Sequence, residues 1–187
     1  MPQTLGSLAN KAKIKFGSLY GAPIIWIVGD KNHSGYPSNS VTLVTNQIIK
    51  LLCFDATEPS NGNSDRRNYG NNRYIWSNLR QWLNSDAGAG KWYTAQHSAD
   101  QAPDSSHVLN GYNPYNTIAG FLNGFTANER AALLSTTITV GKSSTDGGGT
   151  ETCVDKIFPL SCTEVGLSGD HVCGVKLAIF SDNSSRI

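Results

Sequence analysis

Apolar residues in the first third of the chain follow the spacings of β-strands. Residues 12–16 alternate apolar and polar side chains, which is typical of a half-buried strand. Residues 23–28 are a continuous apolar run, short enough to form a buried strand, and the turn residues between the two runs predict an antiparallel pair. Residues 41–44 and 48–54 are predicted to continue the sheet.

Two helices are predicted further along the chain. In residues 76–84, Ser77 is a candidate N-cap, and two tryptophans and two leucines recur at helical spacing. In the second helix, Thr126 and Glu129 have the spacing of a capping box, and the helical pattern continues to Leu134.

Further strands and long polar segments complete the pattern. Strands are predicted at residues 136–140 and 154–163, and a last short strand at 177–180. Residues 58–73 form the longest polar stretch, with five Asn and two Gly. A loop of this length in a compact domain is more often functional than idle. The pattern predicts one α+β domain over residues 1–187, with an antiparallel sheet, two short helices and long loops.

Composition changes the picture of the surface. Charged residues are 16% of the chain, whereas Asn, Ser, Thr and Gly together supply 70 of its 187 residues. The surface is therefore expected to form hydrogen bonds more than to attract by charge. A net charge of +1 argues against nucleic-acid binding, which depends on clustered Lys and Arg. No apolar run approaches the roughly 18 residues of a membrane span, and the N-terminus lacks the features of a secretory signal, so we expect synthesis in the cytoplasm and no membrane insertion.

Signals for metal binding and catalysis are weak. Residues 30–35 carry the first ligands of a calcium loop, but Val41 stands where the bidentate Glu is needed, which favours a plain turn. Four zinc-ligand side chains lie within 21 residues, namely Cys153, Cys162, His171 and Cys173. They lack the paired spacing of structural zinc sites, and a disulfide or unpaired packing thiols are the alternatives. Without a nucleophile elbow, a phosphate loop or a dinucleotide fingerprint, the sequence predicts no enzyme, no cofactor and no metal.

Aromatic residues divide into two groups. Trp26, Trp76 and Trp82 fall on apolar faces and are expected in the core. Aromatic rings in polar loops are the candidates for binding protein or carbohydrate, since a ring gives contact area at low entropic cost. Packing of these loop rings onto their own domain is the alternative. The candidate binding residues are Trp92, Tyr93, Tyr112, Asn113 and Tyr115.

Five motifs in chain order resemble those of the DUF6273 family. They are IKFG at residues 14–17, PIIWIV at 23–28, WSNLRQWLN at 76–84, FLNGFTANE at 121–129 and DKIFPLSCTEVG at 155–166. The match covers most of the chain, and the S-x-x-R-x-W-L-N element at residues 77–84 is fairly specific. Residues 30–37 and 64–73 further resemble the subgroup found among phage structural genes.

The resemblance implies a C-type-lectin-like module, similar to those of formylglycine-generating-type enzymes and phage variable proteins. It implies a non-enzymatic bacteriophage virion protein displayed on the particle surface, either as capsid decoration or as a tail-associated receptor-binding element. The implied partners are other virion proteins, in the capsid or the tail, and a host-surface glycan. A formylglycine-generating-type enzyme and a bacterial cell-surface carbohydrate-binding module are the alternatives.

The C-terminus departs from the family pattern. Members typically continue beyond the position of Arg186 into a Trp-rich segment and a final strand, whereas this sequence ends at Ile187. We therefore expect either a partial sequence or a sheet that another chain completes. An open sheet edge at residues 177–180 would recruit another strand, which predicts an oligomer or docking on a virion partner.

Overall fold

The computed structural model describes residues 4–168 and 173–181. Its secondary structure is mixed α and β, with antiparallel sheets and few helices, which confirms the predicted class. The strands and α-helices are β1 (Lys13–Leu19), β2 (Ala22–Lys31), β3 (Val41–Thr45), α1 (Ser64–Tyr69), α2 (Asn78–Leu83), α3 (Ala127–Ala132), β4 (Thr136–Gly141) and β5 (Thr150–Asp155). In this part of the chain, no helix is both long and apolar enough to cross a membrane.

Internal packing divides the chain into two compact units. The first unit contains Ala127–Gly141 together with the described residues before Lys50 and those from Thr150 onward. The second unit contains Lys50–Thr126 and Lys142–Gly149. The expectation of a single domain over the whole sequence stays a prediction.

A three-stranded antiparallel sheet, in the order β1-β2-β3, forms the framework of the first unit. Ile24, Trp26 and Val28 of β2 are buried, because side chains at every second position of a strand share one face. Phe16 lies at a bulge in β1, and its carbonyl accepts a hydrogen bond of 2.7 Å from Trp26 Nε1. The predicted antiparallel pair and the third strand at residues 41–44 are confirmed.

The hairpin β4–β5 corrects the strand predicted at residues 154–163. Residues 147–149 are three glycines with positive φ, a conformation that suits Gly in a tight turn. The return strand therefore starts at Thr150 and ends at Asp155, earlier than predicted. Pro159 lies beyond the end of the strand, where its missing N–H costs no sheet hydrogen bond.

The strand predicted at residues 48–54 is also wrong. These residues form no strand, and Ile48 is 80% exposed while Leu51 is 67% exposed. The apolar run crosses from the first unit to the second at Lys50, so it connects the units rather than joining a sheet.

The last predicted strand, at residues 177–180, is instead a short 3₁₀ helix over Ala178–Phe180. Leu177, Ile179 and Phe180 are buried and form a core cluster of the first unit. The amide of Leu177 donates to the carbonyl of Glu164 at 2.9 Å. The open sheet edge that we expected here is therefore absent among the described residues, and oligomerisation stays a prediction.

Helix α2 in the second unit confirms the first predicted helix. Ser77 caps it, since its Oγ accepts a hydrogen bond of 3.2 Å from the amide of Arg80. Trp82 is buried, with its ring 5.2 Å from that of Phe121. Of the other tryptophans expected in the core, Trp26 is buried in its own unit and Trp76 is half-buried.

Helix α3 in the first unit confirms the second predicted helix, although it ends at Ala132 rather than Leu134. Oε1 of Glu129 accepts a hydrogen bond of 2.8 Å from the amide of Gly17. This contact ties α3 to the bulged strand β1.

Candidate functional site

The predicted binding residues do not share one surface. Trp92 is 5% exposed and Tyr115 is fully buried, and their rings stack at 5.4 Å with an angle of 10° between the planes. The hydroxyl of Tyr115 donates to the carbonyl of Cys53 at 3.1 Å. The alternative, packing of loop rings onto their own domain, holds for these two rings, because stacking against each other removes both from water.

The other three predicted residues reach the surface to different degrees. Tyr112 is 72% exposed, Asn113 is exposed in the left-handed region at φ 52°, and Tyr93 is half-buried with its ring 6.2 Å from Trp92. No contact in the structure identifies a ligand for them. Their role in binding stays a prediction.

A groove in the second unit, lined mainly by residues with polar side chains, is a better candidate. It has a volume of about 440 Å³, which falls within the usual range for ligand sites. Tyr69, 66% exposed, and Phe54, 38% exposed, supply its aromatic surface. We call it the Tyr69 groove, and its lining residues are Phe54, Asn63, Asp65, Arg66, Tyr69, Gly70, Asn71, Asn72 and Thr145.

Helix α1 positions the Tyr69 groove within the polar stretch that was predicted to be a loop. Asn63 caps the helix, since its Oδ1 accepts hydrogen bonds from the amides of Asp65 and Arg66. Gly70 ends it at φ 85°, and a Cβ there would lie 2.6 Å from the carbonyl oxygen of Asp55. Glycine is therefore required where the chain turns from Tyr69 into the groove wall.

An ion pair ties α1 to the loop between β4 and β5. Nη2 of Arg66 lies 2.5 Å from Oδ2 of Asp146, and both side chains are largely buried. Burial alone would raise the pKa of Asp146, but the hydrogen bond and charge of Arg66 outweigh it, and the pKa is lowered. Because Asp146 neutralises the guanidinium within the protein, we do not expect the groove to bind anions strongly.

Asn71 lines the groove and carries a buried side-chain hydrogen-bond donor without a partner among the described residues. Asn71 is 2% exposed. Its backbone N–H donates to Oδ2 of Asp55, and its side-chain Oδ1 accepts from the backbone N–H of Arg73, both at 2.9 Å. Nδ2 has no hydrogen-bond partner in the described structure. A buried donor without a partner is costly, so a ligand acceptor would be favourable here if a shift of the side chain brought Nδ2 into the groove.

Buried carboxylates lie behind the groove wall, where Asp55 accepts a hydrogen bond from the backbone N–H of Asn71. Asp55 accepts hydrogen bonds from the amides of Asn78 and Asn71, and Asn78 Nδ2 donates to Asp100 at 3.2 Å. Burial raises the pKa of Asp55 to about 7 despite the two amide donors, and the nearby Asp100 and Glu58 charges act in the same direction. Their oxygens bond to protein donors, which indicates a scaffold rather than a ligand-binding role.

A family model now adds to this geometry. The model, described as a domain of unknown function (DUF6273), matches residues 39–187. The chain belongs to the DUF6273 family. Neither curated proteins nor solved structures give a match.

The cysteines of this DUF6273 protein do not form a shared site in the part of the chain that the structure describes. Within that part, no group of three or more His, Cys, Asp or Glu side chains could hold a metal ion, and the four cysteines form no disulfide. His171, which the sequence analysis grouped with three cysteines as a possible zinc ligand, lies outside the described residues. Burial raises the pKa of Cys53 to about 11 and also raises that of Cys173.

Sequence reasoning identified the segment of the Tyr69 groove but not its residues. The Asn-rich stretch 58–73 stood out by length and composition, and it contains most of the groove. The contribution of Thr145 and the Arg66–Asp146 pair could not be foreseen, because these contacts join positions about eighty residues apart.

Proposed function

We propose that this DUF6273 protein is a non-enzymatic bacteriophage virion protein, displayed on the particle surface, that binds a neutral host-surface glycan in the Tyr69 groove. Its fold would be a C-type-lectin-like scaffold for that groove. The observation that carries the glycan assignment is the exposed Tyr69 ring beside a wall of side-chain amides.

The chemistry of the groove suits an uncharged, hydroxyl-rich ligand. A tyrosine ring offers an apolar face for the C–H side of a sugar at low entropic cost. Asn63, Asn71 and Asn72 line the groove with uncharged side-chain amides, and the Arg66 charge is compensated inside the protein. A neutral ligand would bind by hydrogen bonds and stacking, without electrostatic steering.

The virion assignment rests on the resemblance of the motifs to phage structural genes and on the weakly charged surface. A net charge of +1 and an Asn-, Ser-, Thr- and Gly-rich composition suit a protein that contacts a coat or tail subunit and a glycan.

Replacing Tyr69 with alanine is expected to weaken glycan binding by about tenfold or more, because the ring is the main apolar contact surface of the groove. Binding to an array of bacterial surface polysaccharides measures the effect. Tyr112→Ala is the matched control, since Tyr112 is similarly exposed in the same unit but lies outside the groove. Equal loss in both variants, or loss only in Tyr112→Ala, would contradict the assignment to the groove.

Antibody labelling of intact phage particles separates the virion claim from the glycan claim. We expect the protein in purified particles, accessible to antibody, and particles bearing Tyr69→Ala to adsorb more slowly to host cells. Detection only in the host cell envelope would instead support a bacterial cell-surface module with the same groove.

A further inference from the structure

A second groove, in the first unit, differs from the Tyr69 groove in its chemistry. It has a volume of about 390 Å³ and lies between the β1–β2–β3 sheet, the end of α3 and the segment after β5. We call it the apolar groove. Its principal walls are the side chains of Phe16, Trp26, Leu43, Leu134, Phe158 and Leu160.

The walls of the apolar groove are mainly apolar, and its described charged groups carry one sign of charge. Among its described lining residues, Lys156 has the only charged side chain, and Nζ donates to the carbonyl of Arg130 at 3.3 Å, which anchors the ammonium group. Ser40 also lines the groove, and its hydroxyl oxygen is buried within the protein without a hydrogen-bond partner in the described part of the chain. A mainly apolar pocket that contains some polar groups is typical of a small-molecule site, where the polar groups orient the ligand.

We propose that the apolar groove binds a free single-chain aliphatic carboxylate. The alkyl chain would lie against the aromatic and aliphatic walls, and the carboxylate would face Lys156. The volume is near the lower end of the usual range for ligand sites, which suits one alkyl chain rather than a two-chain lipid. This site is in the first unit and does not depend on the glycan proposal.

Isothermal titration of the whole protein with decanoate, decanol and decyltrimethylammonium, each below its micelle concentration, tests the assignment. We expect decanoate to bind one molecule per chain, decanol about tenfold more weakly, and the cation more weakly still. Lys156→Gln is expected to reduce decanoate affinity to that of decanol and to leave decanol unchanged. Equal affinity for all three probes, or none for decanoate, would overturn the proposal.

A pair of matched variants locates the binding. Leu134 is 48% exposed on the groove wall and Leu109 is 51% exposed in the other unit, so aspartate at either position is compatible with folding. Leu134→Asp is expected to abolish decanoate binding and Leu109→Asp to leave it unchanged. Equal effects would place the ligand elsewhere. Self-association abolished by Leu134→Asp, without decanoate binding, would assign the groove to a second copy of the chain and overturn the proposal.

Discussion

Replacing Trp82 with alanine is expected to lower the free energy of unfolding by about 3–5 kcal/mol. The indole is 2% exposed, its Nε1 donates to the carbonyl of Ala119 at 2.9 Å, and its ring lies 6.1 Å from that of Tyr115. Truncation leaves a cavity and removes the hydrogen bond to the carbonyl of Ala119. Because domains are stable by only about 5–15 kcal/mol, the second unit of the variant is expected to be close to unfolding. Equilibrium denaturation measures the change.

Two further variants serve as comparisons for Trp82→Ala. Trp92→Ala is expected to cost a similar amount, because Trp92 is buried in its stack with Tyr115. Tyr112→Ala is expected to change stability by no more than about 0.5 kcal/mol, since that ring is 72% exposed. A Trp82→Ala variant as stable as Tyr112→Ala would show that the aromatic core of the second unit is not as described.

Stability is expected to fall as the pH rises from about 4 to about 7. Burial raises the folded-state pKa of Asp55 to about 7, so the folded protein holds a proton that the unfolded chain has already released. The stabilisation from this proton is complete below the unfolded pKa and is lost as the pH passes through the folded one. One such group contributes at most about 1.4 kcal/mol per pH unit. Burial raises the pKa of Asp100 as well, and this shift also lowers stability as the pH rises.

NMR titration of the carbon-13-labelled carboxyl groups measures the pKa of Asp55 separately from the other groups that affect stability. Asp104 is the internal control, because hydrogen bonds from Ser106 and His107 outweigh its slight burial and lower its pKa. Its stabilising effect is lost only under acidic conditions, as the pH falls through its folded pKa. We expect the Asp55 resonance to titrate near neutrality and that of Asp104 below its usual range. Titration of Asp55 near pH 4, with flat stability up to pH 7, would contradict the burial of this carboxylate.

Local patterns were sufficient for much of the first unit and for helix α2 of the second. Alternation predicted β1, the apolar run predicted β2, and capping residues predicted α2 and α3, because each signal lies within one element. The errors fall where the outcome depends on distant parts of the chain. Residues 48–54 have the composition of a strand but span two units, and residues 177–180 are buried as a 3₁₀ helix.

The candidate site was harder to predict from the sequence because it too depends on contacts between distant parts of the chain. Loop aromatics such as Tyr112 and Tyr115 have similar surroundings in the sequence, yet one is 72% exposed and the other is fully buried. Which ring is buried depends on partners such as Trp92, whose position no local pattern specifies. The unpaired Nδ2 of Asn71 is likewise a property of the folded structure alone.

The central claim, that the Tyr69 groove binds a glycan, is tested most directly by amide NMR. Nitrogen-15-labelled protein is titrated with the saccharide that binds best on the polysaccharide array. We predict saturable shifts of the amides of Tyr69, Asn71, Asn72 and Thr145, with those of Tyr112 and Asn113 unmoved. Shifts confined to Tyr112 and Asn113, or no saturable shift at all, would contradict the account.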